Sequence, residues 1–167
     1  MPGTLEHQLG LHVVENYSFY AVPAAFLSAF APHLFAIMLV NNRRAPGGKG
    51  FNLSMPRKTR EFVSECQLTP KDQDRFQRAE AANDNGFVSL PFFAAAIVAG
   101  NLAKLPNKTL NNVAALYIGS RIAFNMLYIF GTTNASGIAR SVAWLAGMGG
   151  CLSLFVQAGK TFQKAIF

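Results

Sequence analysis

Four stretches of roughly 20 mostly apolar residues divide this 167-residue chain, and no other feature restricts its fold as much. The hydrocarbon core of a bilayer is about 30 Å thick, and a helix rising about 1.5 Å per residue needs about 20 apolar residues to cross it. The stretches cover residues 17–40, 87–103, 113–130 and 138–157. The first carries only Ser28 and His33 as polar interruptions within AVPAAFLSAFAPHLFAIMLV, the third contains Arg121 and Asn125, and the fourth has Arg140 near its start. With 51% hydrophobic and 14% charged residues, the chain is too apolar for an ordinary soluble domain of this length. The prediction is therefore an all-α integral membrane four-helix bundle, a single domain over residues 1–167.

The formal net charge of +7 does not point to nucleic acid. Nine basic residues lie in the connection between the first two stretches: Arg43, Arg44, Lys49, Arg57, Lys58, Arg60, Lys71, Arg75 and Arg78. Glu61, Glu65, Asp72, Asp74, Glu80 and Asp84 dilute them, and the positive charge is concentrated in this one segment instead of being spread among aromatic residues along a binding face. The asymmetry reads instead as a topology signal, placing the 41–86 connection in the cytosol and both termini on the lumenal side. That topology leaves the sequons at Asn16 and Asn107 lumenal, and those at Asn52 and Asn134 cytosolic. The opening MPGTLEHQLG has no basic segment leading an apolar core and no small-residue cleavage site, so the first stretch is expected to stay in the mature protein.

Local signals refine the picture. Thr69-Pro70-Lys71-Asp72 combines a capping hydroxyl, a proline at the first helical position and an early acid, so the second long helix should start well before the membrane. Unbroken to Lys104, it would span about 50 Å. Pro46 and the glycines of NNRRAPGGKG mark a turn ahead of it. Small residues four apart, at Ala24 and Ser28, Ala96 and Gly100, Ala143 and Gly147, and Ala146 and Gly150, should let helix backbones approach closely. Cys66 and Cys151 form no CxxC pair, so neither a zinc site nor a disulfide framework is indicated.

Arg121, with Phe124, Asn125 and Tyr128 at offsets of three, four and seven, sits on one helical face inside a span. An intramembrane arginine costs roughly 2.5–3.5 kcal/mol on insertion scales and so needs a polar partner or an aqueous cavity. Arg140 and Ser141 open the fourth span with Trp144 one turn on, a pattern that fits either a site or an interfacial arginine beside a belt tryptophan. Asn83 to Gly86 lead into the second span, where Pro91 frees the carbonyl of Phe87. His33 is expected to make a helix-to-helix hydrogen bond and not to be a metal ligand.

Three blocks, RAEAANDNGFVSLPFF, SRIAFNMLYI and ARSVAWLAGM, occur in one order along about the last 100 residues. Together they resemble the membrane-associated proteins in eicosanoid and glutathione metabolism, the MAPEG family, and the alanine-rich NDNG block looks most like fungal members. The resemblance implies a homotrimer in the endoplasmic reticulum, with glutathione bound near the cytosolic face between subunits and a lipophilic substrate entering from membrane lipid. Residue by residue, it assigns Asn85, Arg121, Phe124 and Tyr128 to glutathione binding and Arg140 to the glutathione sulfur, with Ser141 beside it. Two positions depart from the family pattern: Val88 stands where an acid is expected, and Ala81 where a base is expected, with Arg78 nearly one turn earlier as a possible substitute.

The implied activity is that of a glutathione-dependent transferase, isomerase or peroxidase acting on a lipophilic electrophile. A thiol of pKa near 8.5 is mostly protonated at neutral pH, and lowering that value by two units requires about 2.7 kcal/mol of preference for the anion. One well-placed guanidinium hydrogen bond is enough. Two alternatives are a non-catalytic lipid-binding scaffold resembling the five-lipoxygenase-activating protein, and a glutathione-independent isomerase or cyclase using Arg121, Tyr128 and Arg140 as donors.

Overall fold

The structure, a computed structural model, describes residues 14–165; the MPGTLEHQLG segment lies outside the described residues. Four long helices account for most of it: α1 (Ala21–Arg43), α3 (Pro70–Leu102), α4 (Asn107–Phe130) and α5 (Asn134–Ala165), with a short α2 (Pro56–Glu61) in the first connection. No strand occurs among the described residues. Each long helix, α1 together with the 3-10 turn that precedes it, is long and apolar enough to cross a membrane. The chain is an all-helical membrane-type bundle, as its apolar pattern requires. α1 packs mainly on α3 and α4 mainly on α5, while α3 and α4 meet in the middle.

Helix ends follow the sequence chemistry. The Thr69 side chain accepts from the Asp72 amide and Pro70 occupies the first turn, so α3 starts far outside its apolar part. Its 33 residues span about 50 Å. At the start of α5, Thr133 and Ser136 exchange hydrogen bonds, the Thr133 amide donating to Ser136 Oγ and the Ser136 amide to Thr133 Oγ1.

Proline breaks are repaired by neighbours. Pro32 lies inside α1 and removes the amide that would otherwise bond the Ser28 carbonyl. Asn125 on α4 fills that role, its Nδ2 donating to Ser28 O at 2.8 Å. A side-chain amide thus satisfies a backbone acceptor at membrane depth.

Small residues set the helix spacing, although not at every pair the sequence suggests. The buried stripe of α1 includes three alanines, Ala25, Ala29 and Ala36. A Cβ on Gly86 would lie 2.8 Å from Ala29 Cβ, so α1 and α3 are in backbone contact there. Ala24 and Ser28 instead border an open groove. Gly100 abuts Leu110, where a Cβ would come within 2.7 Å, and Gly147 abuts Ser120. The Phe93 and Tyr117 rings stack with centroids 3.9 Å apart at the centre of the core.

The connection between α1 and α3 is a folded cap over one end of the bundle. Gly47 turns the chain at φ +89, a conformation that favours glycine. Asn41 Oδ1 accepts from the Phe51 amide and Thr59 Oγ1 from the Asn52 amide. Phe51, Cys66 and Leu68 pack beneath against Val40 and Phe76. At the opposite end Asn16 Nδ2 donates to Asn101 Oδ1 at 2.6 Å and Asn107 Nδ2 to Val14 O at 2.8 Å, so both sequon amides there are engaged.

Candidate functional site

The capped end of the bundle carries an open cleft of about 800 Å³ between the end of α4 and the start of α5. Four of the expected site residues line it: Arg78, Tyr128, Arg140 and Ser141. Arg140 projects from the second turn of α5, and its guanidinium lies over the Tyr128 ring with Cζ 4.0 Å from the centroid. Its half-buried side chain makes no hydrogen bond or ion pair to protein among the described residues, so its N–H groups remain available to an acceptor in the cleft. Arg78 reaches over from α3 and donates to the Gly131 carbonyl, which commits part of its fork. Thr132, Thr133 and Ser136 add hydroxyls along the same wall, and the start of α5 adds the positive end of a helix dipole.

The remaining expected residues lie deeper. Arg121 is only 4% exposed and donates through Nη1 to Asn85 Oδ1 at 2.9 Å. This is the polar partner that an intramembrane arginine needs. Phe124 covers the guanidinium at 4.4 Å and touches Tyr128 at 5.4 Å between centroids. Arg121, Phe124, Tyr128 and Arg140 therefore form one continuous stack from the core to the cleft. Two polar atoms on this face, Arg121 Nη2 and Asn125 Oδ1, are buried without a partner among the described residues.

Val88, at the position where an acid was expected, is 78% exposed and borders no part of the cleft. His33 makes the helix-to-helix hydrogen bond foreseen for it, its Nδ1 lying 2.8 Å from Glu80 Oε1 on α3. Trp144 Nε1 donates to Ser89 Oγ at 3.4 Å, tying α5 to α3, which is a packing role the belt reading did not anticipate. No group of three or more potential metal ligands occurs among the described residues.

Sequence comparison agrees with this geometry: the profile of the MAPEG family matches residues 20–160, which is most of the chain and takes in α1, α3, α4 and all but the end of α5. The chain belongs to the MAPEG family. Members are membrane proteins of glutathione-related transferase, isomerase or activating function, and they generally use glutathione. This chain is accordingly an integral membrane protein. No curated protein and no solved structure matches it.

The cleft can receive a small anionic ligand. Two guanidinium groups face carboxylates well, hydroxyls supply further hydrogen bonds, and the volume lies within the usual range of roughly 300–1,000 Å³ for small-molecule sites. Residues beyond the family blocks, namely Thr132 and Thr133 in the connection and Ser136 in the first turn of α5, were missed in the sequence reading. The Thr133-to-Ser136 capping spacing was the available signal.

Proposed function

We propose that this MAPEG protein is a glutathione-dependent transferase, isomerase or peroxidase acting on a lipophilic electrophile, working as a homotrimer in the endoplasmic reticulum with its cleft facing the cytosol and its termini in the lumen. The observation that carries the reading is Arg140, a cation packed on Tyr128 at a cleft and left without a protein acceptor among the described residues.

Glutathione supplies the thiol, which reacts as the thiolate. Arg140 holds the negative charge on sulfur through N–H donors that Tyr128 keeps from rotating away. Arg78 and Ser141 bind the polar remainder and fix its orientation. Arg121 and Asn85 support the stack from below, so their role is positioning. No protein base is needed, because stabilising the anion by about 2.7 kcal/mol already shifts the thiol by two pKa units, to a value close to neutrality.

Titration of the purified protein with glutathione, followed by thiolate absorbance, tests this reading. A thiolate signal at neutral pH that disappears in Arg140→Ala is expected; absence of any signal in the native protein would overturn it.

A second reading is favoured by one observation, the exposed Val88 at the family's acidic position. It makes the chain a non-catalytic lipid-binding scaffold resembling the five-lipoxygenase-activating protein. Photo-crosslinking of a fatty acid without glutathione turnover would favour it.

A further inference from the structure

One edge of the cap folds down along α3 toward the apolar spans. The Arg60 carbonyl accepts from Gln77 Nε2 at 3.1 Å, and the Arg60 guanidinium pairs with Asp84 at 2.6 Å, nearly one turn before Phe87. Pro56 and Arg57, at the start of α2, share a hollow of about 360 Å³ with Phe26, Phe30 and Phe87. α2 therefore runs with its last turn beside Gln77 and its first beside Phe87, a drop of about 15 Å along α3 at 1.5 Å per residue. Phe87 opens the apolar run of α3, so the start of α2 lies where hydrocarbon gives way to headgroups.

The residues leading into α2 at that depth display apolar surface. Leu53 is 74% and Met55 50% exposed. A fixed turn holds both outward: Asn52 Oδ1 accepts from the amides of Ser54 and Met55 and from Ser54 Oγ, while the Asn52 amide donates to the buried Thr59 of α2. Two large apolar side chains at the tip of a clamped turn are unfavourable in water and favourable at a membrane interface. Arg57 and Lys58 follow directly, exposed and with side chains in no ion pair or hydrogen bond among the described residues, whereas Lys49 is paired with Glu65 and Arg60 with Asp84. Glu61, the one acid from 52 to 62, lies at the far end of α2 and bonds neither cation. An apolar tip beside two free cations matches an anionic bilayer surface, the acyl boundary taking the first and phosphate-bearing headgroups the second.

We infer that the 52–58 turn is an interfacial anchor, with Leu53 and Met55 dipping into the membrane that holds the bundle and Arg57 and Lys58 gathering anionic phospholipid headgroups. The anchor is separate from the Arg140 cleft and involves no glutathione.

Fluorescence quenching of the full chain in nanodiscs tests the inference. Leu53→Cys carries the fluorophore NBD, native Cys66 and Cys151 both being buried. Ser64→Cys, an exposed position beyond α2 in the cap, is the reference. In discs of phosphatidylcholine and phosphatidylserine, we expect the label at 53 to be quenched by lipid bearing a nitroxide near the headgroup end of its acyl chain and spared by aqueous iodide. The label at 64 should behave in the opposite way. At equal mole fraction, nitroxide phosphatidylserine should quench the label at 53 as though enriched over nitroxide phosphatidylcholine about fivefold for each cation. That preference should vanish in the double variant Arg57→Gln, Lys58→Gln, whose thermal midpoint should stay native because both side chains are exposed and unbonded. Iodide quenching at 53 equal to that at 64 overturns the inference, as does an equal response to the two lipids or a preference that survives the double variant. Shielding of the label at 53 from both quenchers would mean that a second copy of the chain covers the turn, which overturns it too. Each of these failures leaves the thiolate reading of Arg140 standing.

Discussion

The guanidinium of Arg140 rests on the ring of Tyr128, Cζ 4.0 Å from its centroid, and no protein carboxylate or carbonyl claims its donors among the described residues. A cation packed against an aromatic face keeps its charge while losing rotational freedom, which is what a group that steadies an anion requires. Arg140→Ala is expected to return the bound thiol to a pKa of about 8.5, the value of a free thiol. At pH 7 a thiol of pKa about 6.5 is about three-quarters thiolate and one of pKa about 8.5 only about 3%, so kcat/KM toward a lipophilic electrophile should fall roughly 25-fold. Tyr128→Phe keeps the ring and should stay close to native, whereas Tyr128→Ala should lose about 0.5–2 kcal/mol. The pH profile of thiolate absorbance separates these variants from ones that merely unfold.

Arg121 carries a different burden. Its Nη1 is bound by Asn85 and its Nη2 has no partner among the described residues, so removing Asn85 strands a buried cation. Asn85→Ala should therefore cost about 1.5–3 kcal/mol of stability, read as a lowered thermal midpoint in detergent. Asn85→Asp restores an acceptor and should lose less. A native midpoint in Asn85→Ala would show that the pair contributes nothing.

The contrast between these two arginines shows where the sequence is informative. Apolar runs of the right length and the Thr69-Pro70 start of α3 are local signals, and both are present as helices in the structure. The offsets linking Arg121, Phe124, Asn125 and Tyr128 put them on one face, as observed. Depth along that face was not legible, because it depends on which helix lies opposite: α3 seals Arg121, while the gap between α4 and α5 opens at Tyr128. Asn125 is the clearest case. Its partner is a carbonyl 97 residues away, exposed by a proline on another helix, and no local pattern encodes that pairing. The cap between α1 and α3 was equally hidden, since single asparagine and threonine bonds at Asn41, Asn52 and Thr59 shape it without any periodic signal.

Cys66 lies in that cap, where burial pushes its thiol pKa up from 9.0, with Glu65 pushing the same way and Arg44 and Lys49 opposing more weakly. A raised value in the folded protein means less thiolate at any given pH. Its stabilising contribution is present below pH 9.0 and is lost as the pH climbs through the folded value. Cys66 should therefore alkylate with iodoacetamide at pH 8 more slowly than a free thiol, and mass spectrometry should show the rate still rising above pH 9.0. Rapid labelling at pH 7 would contradict this.

Gly86 lets α1 touch α3. A methyl group there would meet Ala29 Cβ at 2.8 Å and its Cα at 2.9 Å, distances that backbone neighbours cannot relieve cheaply. Gly86→Ala should cost about 1–3 kcal/mol by overpacking. Ala29→Gly in the same molecule should recover part of the loss, measured by thermal unfolding, because it removes the methyl that the new one strikes.

The repair of the α1 proline break allows a test in which the energies must not add. Asn125 donates to the Ser28 carbonyl only because Pro32 lacks an amide to do so. Asn125→Ala in the native background should strand that carbonyl in an apolar setting and cost about 1–3 kcal/mol. In a Pro32→Ala background the restored backbone amide can take the carbonyl itself, so the same Asn125→Ala change should cost appreciably less. The difference between the two costs, obtained from thermal unfolding of the four proteins in a double-mutant cycle, should reach about 0.5–3 kcal/mol, as for groups sharing one partner. Strict additivity would mean that the two sites do not share the Ser28 carbonyl, and that Asn125 acts through packing alone.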